Sequence, residues 1–119
     1  NFSLLKIGDT YQLAPAYDLM NTTLHIEGDD LGLNGGLSEY LEKSDVYDRT
    51  GHPCRLDFER FGETIGLRKK RISSILDAFS VLPSEVEALV ESSYLNEKLK
   101  RTYLRIVKER LIRFNRLSE

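Results

Sequence analysis

The chain of 119 residues has one cysteine and two histidines, and this scarcity excludes several kinds of site. With Cys54 alone the chain cannot form an internal disulfide, which fits a reducing cytoplasm. A structural zinc site needs four ligands, and Cys54, His52 and His25 supply three at most. The His52-Pro53-Cys54 stretch is therefore interpreted as a turn with a buried cysteine. Neither histidine has the sequence context of a Ser-His-Asp or Cys-His arrangement.

The sequence also has no long apolar run, no signal-peptide pattern and no phosphate-binding glycine loop. A bilayer span needs roughly 20 apolar residues in a row, so we expect no membrane partner and a cytoplasmic location. Gly35-Gly36 is followed by no Lys-Ser or Lys-Thr pair, and G-x-G-x-x-G does not occur. Asp29, Asp30 and Asn34 lack the ligand spacing of an EF-hand and are interpreted as a solvated turn.

Charge is distributed unevenly along a chain of ordinary globular composition. Forty per cent of the residues are hydrophobic and 30% are charged, with a net charge of −2 that argues against bulk attraction to nucleic acid or acidic membranes. Residues 1–67 carry 5 basic and 12 acidic residues, whereas residues 95–119 carry 8 basic and 3 acidic ones. The acidic front and the basic tail can dock on each other, or the tail can face a partner.

The first eighteen residues predict a β-hairpin. Two short apolar runs flank Gly8-Asp9-Thr10, which is turn chemistry because glycine tolerates a positive φ and aspartate caps its own turn. This reversal brings Asn1 beside the end of the return strand at Asp18, and opposed residues lie roughly 5 Å apart at Cβ. Two oxygen-bearing side chains at that distance can share a Mg²⁺ ion. Alternatively, Asn1 is a frayed terminus and Asp18 is a helix N-cap before Leu19-Met20.

Four helices are predicted in the second half of the chain, the first capped by Asp57. They are expected at about residues 57–66, 67–81, 83–93 and 96–117. The residues expected to face inward are, in helix order, Phe58, Phe61 and Ile65; Leu67, Ile72, Ile75, Leu76 and Phe79; Val86, Leu89 and Val90; and Leu99, Tyr103, Ile106, Val107, Leu111, Phe114 and Leu117. Lys98, Arg101, Arg105, Lys108 and Arg116 lie mostly off the last stripe and form a solvated face.

These patterns together predict one domain of the α+β class, mainly α, in which an N-terminal β-hairpin precedes a bundle of about four helices. The domain comprises the hairpin (residues 1–18), a loop-rich segment (residues 19–55) and the helical part (residues 56–119). Within the loop-rich segment, residues 37–53 are interpreted mostly as ordered loop.

Two motifs resemble the HipA family of bacterial serine/threonine kinases, the toxins of some toxin–antitoxin pairs. They are Asn1-Phe2-Ser3 and Pro15-Ala16-Tyr17-Asp18. In that family the catalytic loop runs Asp-x-His-x-x-Asn-Phe-Ser, and the metal-binding aspartate stands in Pro-x-Tyr-Asp. The resemblance implies that Asn1 and Asp18 hold Mg²⁺ on ATP, as the corresponding residues do in kinases generally. It also implies that the fold is part of a protein-kinase-like C-lobe, since residues 32–36 and the tail from Asp57 look like this family's C-terminal half.

The sequence also departs from the family pattern. The catalytic Asp and the His after it would precede Asn1, and there is no strand lysine for the ATP phosphates. The resemblance therefore implies a C-terminal fragment of a kinase that transfers the ATP γ-phosphate to a protein hydroxyl. Alone, the fragment is expected to be inactive and to bind neither Mg²⁺ nor ATP tightly. The implied partners are the rest of the kinase chain and an antitoxin, often of helix-turn-helix type.

A second reading concerns residues 61–76, which resemble a helix-turn-helix. Four consecutive basic residues, Arg68, Lys69, Lys70 and Arg71, open its second helix and can neutralise DNA phosphates. Three points argue against DNA binding. The sequence of residues 61–76 recurs in the kinase family's helical tail, and the acidic residues of the first half of the chain repel DNA. Core packing alone also explains the helix. Because the helix dipole disfavours cations at a helix start, we expect an acidic partner such as Glu59 or Glu63 nearby.

Overall fold

The computed structural model describes residues 2–26, 28 and 36–116. Within these residues the chain forms a two-stranded antiparallel sheet, a 3₁₀ turn and five α-helices, which confirms the predicted α+β, mainly α class. The predicted four helices correspond to the last four of the five. The elements are β1 (Leu4–Ile7), β2 (Thr10–Leu13), the 3₁₀ turn (Thr22–Leu24), α1 (Asp45–Thr50), α2 (Arg55–Thr64), α3 (Lys69–Ala78), α4 (Ser84–Ser92) and α5 (Glu97–Phe114).

The N-terminal hairpin has the predicted turn. β1 and β2 pair antiparallel from Leu4↔Leu13 to Ile7↔Thr10, so the loop between them is Gly8-Asp9. Gly8, the first residue of this two-residue loop, has a φ of 60°. Glycine adopts this conformation readily, whereas a residue with a side chain would be disfavoured there. The ladder continues past the strand ends, because the Ala14 backbone N–H donates to the Ser3 carbonyl at 2.8 Å.

One buried carboxylate joins the starts of α1 and α2. Asp57 is 0% exposed and accepts three hydrogen bonds: from the Ser44 backbone N–H (2.7 Å), the Ser44 hydroxyl (2.8 Å) and the Cys54 backbone N–H (2.8 Å). Ser44 is itself the N-cap of α1, since its Oγ accepts from the Tyr47 N–H at 3.1 Å. The carboxylate therefore satisfies buried donors at the ends of both helices and fixes how the two helices meet.

The structure corrects two predictions in this region. Asp57 is not the N-cap of α2; Cys54 is, and Asp57 lies in the first turn and reaches back to the Cys54 N–H as in a capping box. Residues 37–53, interpreted mostly as loop, contain α1, which begins after Ser44 and ends at Gly51 in the left-handed conformation. At six residues, α1 is too short to show a helical apolar period.

The helices pack in two pairs, α2 with α3 and α4 with α5, and the pairs meet where the rings of Phe58 and Phe114 lie 5.7 Å apart. Most predicted inward positions within the described residues are buried or half-buried, but Ile65, Leu67, Phe79 and Leu89 are 38–67% exposed, and for these the prediction was wrong. Ile65 and Phe79 follow the last turns of α2 and α3, and Leu89 lines an open apolar groove together with Val90 and Tyr103. Among the described residues, the buried apolar side chains are Val46, Cys54, Ile72, Leu76, Val90 and Ile106.

α5 is the longest helix, and its outer face is solvated as predicted. Lys98, Arg101, Arg105 and Lys108 are exposed, whereas Ile106 on the opposite side is buried. Lys108 pairs with Glu87 of α4 at 2.7 Å. The predicted inward residue Leu117 lies outside the described residues. Among the described helices, none combines the length and the apolar character needed to cross a bilayer.

The Asp57 carboxylate should make stability depend on pH. Burial alone raises the pKa of Asp57, but the hydrogen bonds from Cys54 and Ser44 outweigh it and hold the pKa below its ordinary value. A pKa lowered in the folded state adds stability above the unfolded value of about 3.9, and this contribution is lost as the pH falls through the folded pKa. We expect Asp57→Asn to lower the free energy of unfolding by about 2 kcal/mol at pH 7.

Urea unfolding followed by circular dichroism between pH 7 and pH 3 measures this effect. The gap between the parent chain and Asp57→Asn should stay constant above about pH 5 and shrink below about pH 4. Asp48→Asn, an exposed carboxylate on α1, is the matched control and should change little. Equal stabilities of the two variants at pH 7 would contradict the role given to Asp57.

Candidate metal site on the N-terminal hairpin

The hairpin brings the two ends of its sequence motif into contact. The hydroxyls of Ser3 and Tyr17, fourteen residues apart, lie 2.8 Å from each other. Together with the Ala14 to Ser3 backbone hydrogen bond, this contact holds the segment before β1 against the segment after β2. The predicted metal ligand Asp18 follows Tyr17 directly, so the reversal of the chain carries it to the same end of the hairpin.

Asp18 has an unusual backbone conformation. Its φ is 51°, and among the described non-glycine residues no other has a positive φ. Aspartate tolerates this left-handed region better than most residues do, but the conformation is still uncommon and is frequent at ligand sites. The side chain is exposed, so a ligand in solvent can reach it. The alternative reading of Asp18 as a helix cap was wrong, because Leu19 and Met20 are not helical and the 3₁₀ turn starts after Asn21.

The predicted partner of Asp18, Asn1, lies outside the described residues, so their approach stays a prediction. Among residues 2–26, 28 and 36–116, no three His, Cys, Asp or Glu side chains are grouped to hold a metal. A Mg²⁺ ion on a nucleotide does not need such a group, because it takes one or two protein oxygens and completes its shell with water and phosphate oxygens. Asp18 fits that kind of site and does not fit an all-protein metal cage.

A groove of about 270 Å³ begins directly after Asp18. It lies between residues 19–23 and α5, and Arg110 crosses it by donating from its guanidinium to the Thr23 hydroxyl at 3.0 Å. Sequence reasoning missed this contact because 87 residues separate the two side chains and no local pattern links them. The Arg110–Thr23 hydrogen bond joins the chain segment after Asp18 to the helical part.

A second candidate site is the corner between α2 and α3. Gly62 is buried in α2, and a Cβ at this position would lie 2.8 Å from Cγ1 of Ile72 in α3. Glycine therefore lets the two helices approach closely. Gly66, with a φ of 82°, lies in the short turn that separates them. The predicted pair of helices around a glycine turn is present in residues 61–76.

The basic cluster, defined as Arg68, Lys69, Lys70 and Arg71, occupies the start of α3. All four side chains are exposed. Lys69 pairs with Glu63 at 3.2 Å, which confirms the expected acidic partner, whereas Glu59 pairs with Arg55 at 2.9 Å. Since Lys69 is 89% exposed, its ion pair is weak, and the positive potential at the helix start is largely retained.

The Gly62–Ile72 contact can be tested by substitution. Gly62→Ala gains helix propensity of about 1 kcal/mol but forces a Cβ into Ile72, and overpacking costs about 1–3 kcal/mol. We expect a net loss of roughly 1 kcal/mol in the free energy of unfolding, measured in urea. Ile72→Val should cost less in the Gly62→Ala background than in the parent chain. A Gly62→Ala variant more stable than the parent would show that the helices can separate freely.

Comparisons of the chain with family models, with curated proteins and with solved structures find no match. The kinase hypothesis therefore depends on the two motifs of the hairpin and on the positions of their side chains. The geometry contributes three observations: the Ser3–Tyr17 contact, the left-handed Asp18 and the exposure of its carboxylate.

Proposed function

We propose that these residues form the C-terminal part of a HipA-like serine/threonine kinase lobe, in which Asp18 binds the Mg²⁺ of ATP. One observation carries the proposal: Ser3 of the Asn-Phe-Ser motif lies 2.8 Å from Tyr17 of the Pro-x-Tyr-Asp motif. A kinase needs these two motifs to meet in space, because the catalytic-loop Asn and the later Asp hold Mg²⁺ together. A tight hairpin between them is the simplest way to achieve this.

The backbone of Asp18 supports the same role. Asp18, five residues after the end of β2, has a left-handed backbone conformation and an exposed side chain. Such a conformation costs about 1–3 kcal/mol, and it persists where the surrounding structure or a function requires it. Asp18 and the adjacent Tyr17 are exposed, so a ligand can reach the carboxylate from solvent.

In this proposal the chain's own residues bind and orient. The carboxylate of Asp18 and the amide oxygen of Asn1 are the two protein ligands. The Ser3–Tyr17 hydrogen bond and the strand ladder hold the two motifs in register. When bound, Mg²⁺ neutralises charge on the ATP phosphates. The catalytic base and the ATP-binding lobe belong to the rest of the kinase, so this part alone is not expected to transfer phosphate.

The proposal extends to location and partners. A kinase of this type acts in the cytoplasm, phosphorylates a protein hydroxyl and associates with an antitoxin, often of helix-turn-helix type. The exposed apolar side chains of the hairpin are compatible with a site that the rest of a kinase lobe covers. No side chain described above identifies the docking surface of an antitoxin.

The metal role is tested in the longer protein that contains this chain. Asp18→Asn keeps the shape of the side chain and its tolerance of a positive φ but removes the negative charge. We expect the rate of phosphate transfer from labelled ATP to fall at least about 100-fold, because the metal loses its carboxylate ligand. The matched control is Asp9→Asn in the loop at the opposite end of the same hairpin, which should stay within about twofold of the parent.

A readout independent of activity uses the 119-residue chain itself. Millimolar Mn²⁺ should broaden the amide NMR signals of Ser3, Tyr17 and Asp18 more than those around Asp9. The broadening should disappear in Asp18→Asn and persist in Asp9→Asn. Retained phosphate transfer in a folded Asp18→Asn protein would refute the role of this carboxylate.

The alternative proposal is a helical module that binds DNA through the basic cluster. The observation in its favour is that, among the described residues, none forms an ion pair with Arg68, Lys70 or Arg71. Three or four cations at a helix start, next to the unbonded N–H groups of the first turn, suit contact with phosphates. A protein-binding role of the basic face of α5 is the other form of this alternative.

Gel-shift titration of the 119-residue chain with a short duplex tests the DNA version. Binding should weaken steeply between 50 and 200 mM salt, with a log–log slope of about −3 for three or four phosphate contacts. The triple variant Arg68→Gln, Lys70→Gln, Arg71→Gln should lose binding. The control Lys98→Gln, Arg101→Gln, Arg105→Gln removes the same charge from α5 and should bind like the parent. No retardation at 50 mM salt would exclude this version.

A further inference from the structure

A hydrogen bond between two side chains joins the segment after Asp18 to α5. Arg110 donates from its guanidinium to the hydroxyl of Thr23 at 3.0 Å. Thr23 lies in the 3₁₀ turn Thr22–Leu24, and its side chain is exposed, whereas Arg110 is half-buried. A hydroxyl that can be reached from solvent therefore lies within hydrogen-bond distance of a positive charge.

The groove around this hydroxyl carries positive charge. Its volume is about 270 Å³, and among the described residues that line it Arg110 is charged and none is acidic. The two acidic residues of α5 pair with other cations of the helix, Glu97 with Lys100 at 3.1 Å and Glu109 with Arg105 at 2.9 Å. The described surroundings of this hydroxyl thus favour an anionic group and leave room for one.

We propose that Thr23 is a phosphorylation site whose phosphate pairs with the guanidinium of Arg110. The oxygen that accepts from Arg110 is the atom that receives the phosphoryl group, so the new charge arises beside its partner. Phosphorylation replaces a neutral acceptor with a charge of about −1.5 to −2 and three acceptor oxygens. Guanidinium groups bind phosphate in a bidentate manner, and such charge-assisted hydrogen bonds are about twice as strong as neutral ones.

This inference rests on the proposed function for its phosphate donor, because a serine/threonine kinase uses ATP. Oγ1 of Thr23 forms a bond to the γ-phosphorus, and the bond from that phosphorus to the departing ADP oxygen breaks. The hydroxyl proton passes to the catalytic base in the rest of the kinase. Since Thr23 is five residues from Asp18, the phosphate fastens to α5 the segment that follows the candidate metal ligand.

The 119-residue chain prepared with phosphothreonine at position 23 tests the pairing. In ³¹P NMR, the pH midpoint of the phosphate titration should lie at least about 0.5 pH units lower in the parent than in Arg110→Gln, because a guanidinium favours the dianion. Arg101→Gln removes the same charge from an exposed position of α5 outside the groove and should leave the midpoint unchanged. All three chains keep His25, the imidazole two residues from Thr23, so the comparison isolates Arg110.

Two further measurements guard against a merely structural effect of the substitution. Arg110→Lys keeps a cation without the planar fork and should retain part of the lowered midpoint. The N–H groups of His25 and Ile26 donate to the Thr22 carbonyl at 2.9 Å, and phosphorylation should slow their hydrogen exchange at least about threefold in the parent but not in Arg110→Gln. Equal ³¹P midpoints in the parent and in a folded Arg110→Gln chain would overturn the inference.

The longer protein that contains this chain tests whether the modification occurs. After incubation with ATP and Mg²⁺, mass spectrometry should find phosphate on Thr23. Incorporation should fall at least about twofold in Thr23→Val and stay at the parent level in the neighbouring control Thr22→Val. Phosphate on other residues but not on Thr23 would overturn the inference. A longer protein that transfers no phosphate at all would refute the proposed function, and the ³¹P comparison then decides this inference by itself.

Discussion

The helical part of this protein depends on one ionised side chain. Asp57 takes three hydrogen bonds from Ser44 and Cys54 at full burial, and without it two backbone N–H groups would be buried without partners. This carboxylate joins the N-terminal ends of α1 and α2. The close approach of Gly62 to Ile72 sets α3 against α2, and the basic cluster at the start of α3 lies beside Glu63 of α2.

The hairpin has no comparable anchor. Its strands are held by their own ladder and by the exposed Ser3–Tyr17 hydrogen bond, and none of its described residues, 2–18, is buried. The chain thus combines a helical part with a small core and a hairpin that carries the candidate ligand. A metal ligand is most effective when neighbouring packing fixes it, so the proposed role of Asp18 requires a surface that covers the hairpin.

Much of the secondary structure could be predicted because its signals are local. Gly8-Asp9 between apolar runs predicted the hairpin, and Pro83 and Asn96 marked the starts of α4 and α5. The role of Asp57 could not be predicted, because its partner Ser44 is thirteen residues away and belongs to a helix too short to show periodicity. Leu89 follows the helical period, but exposure depends on which side of α4 meets α5.

The sequence predicted which residues form the candidate site, but it did not predict their backbone geometry. The motif singles out Asp18, but its left-handed φ of 51° depends on how the chain leaves β2, which no single residue specifies. Ordering one backbone residue costs about 1–2 kcal/mol, so a ligand on an uncovered hairpin has to supply that ordering energy itself. In the proposed metal site, a surface that buries Leu4 and Leu13 would order the hairpin beforehand, and Mg²⁺ would bind more tightly. Metal affinity at Asp18 and burial of Leu4 and Leu13 are therefore expected to be thermodynamically coupled, although the two sites share no side chain.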